Sequence, residues 1–138
     1  MTRNIFAVGV VTLGLSACIS FGVVAQPSSA PDAAKQWLML LDKGSYGKSW
    51  DLAGSLFKAR ISAQDWQAKV TPVRNPLGPV VSRKTASVQL SNSLPDVPDG
   101  QYAVVKFNST FSHKAAAVET LTLDKEKDNW AVIGYFIK

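Results

Sequence analysis

The sequence predicts an α+β domain of about three N-terminal helices packed on a four-stranded antiparallel meander sheet, cone-like in outline. Two observations carry this expectation. Between Pro31 and Asn75 apolar residues recur at helical spacing, and after Pro79 the period changes to two. Helices first and strands afterwards is the order in which helices lie across one face of an antiparallel sheet. The 138 residues suit one such domain plus a leader.

The leader comes first. Arg3 is the only charge before Asp32, and the run from Ile5 to Ala25 is apolar. A short positive start followed by an apolar stretch is the pattern of a secretory signal peptide. The run is long enough to span a bilayer, but Gly9, Gly14, Gly22, Ser16 and Ser20 weaken it as a permanent span. Two processing sites compete. Val23-Val24-Ala25 before Gln26 offers small residues to signal peptidase, whereas Leu15-Ser16-Ala17-Cys18 resembles a bacterial lipobox. After Cys18 the apolar run continues through Ile19 to Val24 instead of turning into a polar tether. The expectation is therefore a cleavable signal peptide over 1–25, a single domain over 26–138, and a periplasmic or secreted location. The alternative is a lipoprotein held by Cys18; membrane attachment follows only from that or from a retained leader. Residues 26–138 contain no cysteine, so the core must hold the fold without disulfides. The formal charge of +5 is interspersed with acids and forms no basic stripe, which argues against a nucleic-acid partner.

The first helix starts at Ser29 as N-cap, with Pro31 in the first turn and Asp32 favoured by the helix dipole. Ala34, Trp37, Leu38 and Leu41 form its apolar stripe, and Lys43-Gly44 ends it. A second helix is expected over Ser45–Ala59, with Tyr46, Trp50, Ala53 and Phe57 inward. A third opens at Ser62-Ala63-Gln64-Asp65, a variant capping box, with Trp66, Val70 and Val73 inward. It weakens at Pro72 and stops by Asn75-Pro76. The first strand, Val80–Asn92, alternates Val80, Ala86, Val88 and Leu90 against Arg83, Thr85, Ser87 and Gln89. A Pro- and Asp-Gly-containing turn over 95–100 leads to a second strand, Gln101–Phe111, with Ala103, Val105, Phe107 and Phe111 on one face. Ala115–Leu123 is the third strand and residues 124–128 a charged turn. Trp130–Ile137 is the fourth strand; it is apolar on both faces and so is expected to be central or to line an interface.

Helices followed by a meander resemble the nuclear-transport-factor-2-like, cystatin-like architecture, which implies a curved sheet around an apolar pocket. A closer resemblance rests on Trp37-Leu38, Leu40-Leu41-Asp42, Gly44, Tyr46, Ser49-Trp50-Asp51, Arg74, Pro76-Leu77-Gly78 and Ser82-Arg83. It continues through Ser93-Leu94-Pro95, Pro98-Asp99-Gly100, Tyr102, Phe111, Glu119-Thr120, Trp130, Val132, Gly134-Tyr135 and Ile137. These residues resemble the bacterial envelope family catalogued as domain of unknown function 4019, which implies an envelope location and no known activity. Asp96 stands where that pattern has glycine.

Glu119 is the most unusual placement. It shares its strand face with Ala117, Leu121 and Leu123, and a carboxylate there needs a cation or donors. Arg74, in the helix-to-strand connection, is one candidate partner; Arg83 is the other if a bulge turns it inward. The bland reading is a structural ion pair; the functional one is a polar anchor or proton acceptor in a pocket. Tyr135 and Tyr102 join Glu119 and Arg74 as candidate ligand-binding residues, since a tyrosine hydroxyl needs a partner; Tyr46 shares that need, and the four tryptophans read as core. His113 sits in a turn without a ligand cluster, so no metal is expected. No nucleophile elbow, phosphate loop or dinucleotide fingerprint occurs, and no cofactor is expected.

The leading expectation is a non-catalytic envelope module binding an apolar small molecule or an envelope protein, with a homodimer through the open sheet face as a further option. The rival is an enzyme of the ketosteroid-isomerase kind, with Glu119 as base and Tyr135 or Tyr102 as donor. A lipid-anchored structural factor is the third.

Overall fold

The computed structural model describes residues 29–138, so the leader, its cleavage sites and Cys18 lie outside the described residues. The order is α1 (Ala30–Asp42), α2 (Tyr46–Asp51), α3 (Ser55–Arg60), α4 (Ala63–Arg74), a 3-10 turn (Asn75–Leu77), then β1 (Val80–Ser91), β2 (Tyr102–Phe111), β3 (Lys114–Glu126) and β4 (Asn129–Ile137). The strands form one antiparallel sheet in sequence order, β1-β2-β3-β4. The helices cover its inner face, as expected of the α+β class.

The first helix forms as the sequence predicts. The Ser29 hydroxyl accepts from the Asp32 amide at 3.3 Å, and Ala34, Trp37, Leu38 and Leu41 are buried. Gly44 follows at φ +72°, the left-handed turn that ends the helix and that glycine adopts without strain. The core is this stripe against Val105, Phe107, Leu121, Leu123 and Val132 of the sheet. Each fully buried Leu or Phe contributes roughly 1.5–3 kcal/mol.

Three expectations need correction. The single helix over Ser45–Ala59 is two short ones, because the chain breaks at Leu52–Gly54 to let the Gly54 amide donate to the Val132 carbonyl at 2.7 Å. Residues 124–128 are not all turn: β3 runs on to Glu126, and Lys127-Asp128 alone reverse the chain at φ 47° and 69°, a tight hairpin of the primed type. The fourth strand is not central but an edge. Asp96, in place of glycine, does take positive φ (61°). α4, expected from the sequence as the third helix, continues through Pro72 to Arg74, and Thr71 donates its hydroxyl to the Gln67 carbonyl at 2.6 Å beside the missing amide.

Candidate functional site

The last turns of α1 and α4 and the facing stretches of β1 and β3 bring four charges together. Arg74 Nη1 donates to Glu119 Oε2 at 2.8 Å, and its Nη2 to Asp42 Oδ1 at 2.6 Å. Arg83 Nε donates to Glu119 Oε1 at 2.8 Å. Its Nη1 and Nη2 grip Asp42 Oδ2 and Oδ1 at 2.8 and 2.9 Å, the two-pronged geometry that guanidinium and carboxylate share. Ser109 Oγ and the Tyr135 hydroxyl also donate to Glu119, at 2.6 and 2.8 Å. Glu119 is fully buried and Arg74 is 5% exposed. Two acids and two guanidiniums leave the cluster without net charge.

Local structure explains each position. Arg74 continues the Trp66–Val70 stripe by one more turn (i, i+4, i+8), so it points inward, while Val73, expected inward, is 44% exposed. Register shifts at Val81 and Ala86 change the face of β1 twice. Arg83 and Thr85 therefore lie on the inner face opposite Ser109 and Phe107, and Val81 and Ala86 are pushed into solvent. Burial alone would raise the Asp42 carboxyl, but the hydrogen bonds and charges of Arg83 and Arg74 outweigh it and hold it below the usual range. Burial works equally against the Arg83 cation, yet Asp42 and Glu119 keep it firmly protonated. Burial and the Glu119 charge push the Tyr135 hydroxyl well above its ordinary value, so it remains a donor.

Of the residues singled out in the sequence, Glu119, Arg74, Tyr135 and, through the bulge its candidacy required, Arg83 meet here, and Tyr102 does not. Tyr102 faces Asp124 across the sheet, five positions from Phe107, the partner of Glu119, and its hydroxyl donates to the Pro98 carbonyl. Tyr46 donates to Asn75 Oδ1 at 3.1 Å, and His113 Nδ1 lies 3.2 Å from the Pro76 carbonyl. Asp42 and Ser109 had no distinguishing signal: Asp42 ends an amphipathic helix, and Ser109 is one of many strand serines. With four donors on it and no solvent exposure, the Glu119 carboxylate has no lone pair turned to a substrate. Tyr135 bonds to Glu119 directly instead of opposing it across a cavity, as a ketosteroid-isomerase-like base and donor would need.

The accessible chemistry lies beside the cluster. Between α3, α4 and β4 runs an open groove of about 350 Å³, walled by Ile61, Trp66, Val70 and Val73 and floored by Tyr135 and Ile137. Trp66 is backed by Phe57 at 5.0 Å and Trp37 at 5.8 Å between ring centroids. Val73 and Phe136, at the rim, are 44% and 61% exposed, and Lys69 is the one charged residue in the lining among the described residues. A polar cleft of about 280 Å³ reaches Asp42 and Arg74 from the Tyr46–Asn75 side. Another of about 400 Å³ lies on the outer sheet face near Lys84 and Asn108. Glu119 lines none of the three. Among the described residues no group of His, Cys, Asp and Glu could hold a metal, and no helix is long and apolar enough to cross a membrane.

A family model for proteins of unknown function, DUF4019, matches residues 33–135. The chain belongs to that family. The match to DUF4019 extends from α1 to β4 and takes in Asp42, Arg74, Arg83, Glu119 and Tyr135, so the whole polar cluster falls within it. No curated protein and no solved structure matches the chain.

Proposed function

We propose that this DUF4019 protein is an exported, non-catalytic binding module of the cell envelope, and that the groove between α4 and β4 takes an apolar molecule or an apolar protein segment. The observation carrying this reading is the contrast between the two neighbouring features. The polar cluster satisfies itself internally, whereas the groove leaves Val73 and Phe136 in water beside a well-packed aromatic wall. Export is inferred from the leader pattern alone.

Titration with the apolar dye 1-anilinonaphthalene-8-sulfonate tests the groove. The natural protein should bind it saturably with a change in tryptophan fluorescence, and Val73→Gln with Phe136→Gln should abolish that binding. Equal binding by both proteins would remove the groove from consideration. The mass of the chain recovered from the envelope tests export: a start at Gln26 is expected, and a diacylated Cys18 would make it a lipoprotein instead.

A further inference from the structure

The groove borders the free edge of the sheet, and the two features together specify a ligand class. Val118 and Lys138 exchange both backbone hydrogen bonds, at 3.0 and 3.1 Å. In an antiparallel pair such residues alternate with ones whose amide and carbonyl point away from the partner. Glu119–Ile137 and Leu121–Tyr135 are the intervening pairs, so Tyr135 and Ile137 turn their N–H and C=O groups out from β4. Further up, the Gly54 amide closes the edge at Val132. At Tyr135 and Ile137 no backbone partner exists among the described residues.

The opposite edge is more heavily guarded than this one, where Lys138 alone follows the uncharged stretch. β1 carries Lys84 and two register shifts, devices that blunt strand pairing. The stretch Gly134-Tyr135-Phe136-Ile137 has no charge and no proline, and Phe136 is exposed beside it.

We propose that β4 accepts an extended peptide as a fifth strand. Peptide residues opposite Tyr135 and Ile137 would share their inward face and enter the groove against Ile61, Trp66 and Val70. The residue between them would lie beside Phe136. Lys69, which forms no ion pair among the described residues, favours an acidic residue in the peptide. The outward amides and carbonyls offer a template for backbone pairing that an extended peptide can use and a lipid cannot. A second copy pairing β4 with β4 would offer Tyr135 and Ile137 as its inward residues. Those side chains already floor the copy's own groove, and both grooves would remain unfilled.

This inference rests on the groove being the binding site, and the experiment separates the two. Capped, fluorescein-labelled heptapeptides alternating threonine with valine, leucine or phenylalanine, and ending in glutamate, are titrated by anisotropy, with amide exchange followed by NMR. Binding should protect the Tyr135 and Ile137 amides. Ile137→Pro, which beyond the loss of the isoleucine side chain that it shares with Ile137→Ala also removes an outward N–H, should bind roughly tenfold more weakly than Ile137→Ala. Equal affinities, or binding without protection of those amides, would overturn the added strand. Protection that appears without peptide and grows with protein concentration would overturn it in favour of a second copy. No peptide binding while the dye still binds in the groove refutes the strand alone; loss of both refutes the groove as well.

Discussion

Asp42 and Asp124 show what burial does to a carboxyl group with and without a cation in reach. At Asp42 two guanidiniums outweigh burial, and the stabilisation they bring is present above the unfolded value of 3.8 and lost as pH falls through the lower folded value. Among the described residues Asp124 has no such partner. Burial, then the Glu126 charge, pushes it up to about 6, and its Oδ1 is buried without a hydrogen-bond donor. The sign is therefore reversed: its contribution is greatest below the unfolded value of 3.8 and is lost as pH rises through about 6. The thermal midpoint should fall between pH 4 and 7, and Asp124→Asn should flatten that slope and raise the midpoint at pH 7. After screening by solvent the effect is about 1 kcal/mol or less. Identical slopes in the two proteins would refute the assignment. At this scale Glu119 and Arg74 were legible, because alternation put a carboxylate among leucines, where a cation or donors had to accompany it. Asp42 was not legible: a terminal helix acid looks the same whether it faces solvent or a guanidinium.

Elements were legible where one period persists and obscure where a single backbone contact interrupts it. The α1 stripe and the four strands follow from spacing. The break between α2 and α3 does not, since Tyr46, Trp50, Ala53 and Phe57 keep helical spacing straight through it. Its cause is long-range. Gly54 passes so close to β4 that a Cβ there would meet Ile133 Cγ2 at 2.7 Å, Asp124 Oδ1 at 3.1 Å and Glu126 Oε1 at 3.2 Å. Glu126 in turn accepts from the Ser55 amide and hydroxyl at 2.7 and 2.6 Å, locking the start of α3 to the β3–β4 hairpin. Gly54→Ala should thus destabilise the fold by about 1–3 kcal/mol through overpacking. Urea unfolding would read this, and an unchanged midpoint would mean the contact relaxes freely. Arg83 was legible only conditionally: it was a candidate partner of Glu119 provided a bulge turned it inward, the bulge at Val81 does so, and nothing in a run of alternating residues announces which one will be extruded.

For the whole molecule the polar cluster is the seam between layers. α1 and α4 each contribute their last-turn residue, and β1 and β3 contribute the facing pair, so four elements distant in sequence meet at one neutral knot. The order of helices and strands was enough to foresee two layers, but not where they would be fastened. Such a knot is a costly way to gain stability, because desolvating two ion pairs offsets much of their attraction. Breaking it and removing it should consequently differ in sign. Glu119→Gln leaves two buried guanidiniums facing one carboxylate and should cost about 3–5 kcal/mol in urea unfolding. Replacing the whole set with apolar residues (Asp42→Leu, Arg74→Met, Arg83→Met, Glu119→Leu, together with Tyr135→Phe and Ser109→Ala) should leave the midpoint level or higher. If the full replacement is as unstable as Glu119→Gln, the cluster stabilises outright. If it is stable but its amide spectrum broadens, the cluster serves to select one seating of helices on the sheet. That seating also places α4 at the correct distance from β4, so the second outcome would tie the buried charges to the shape of the groove.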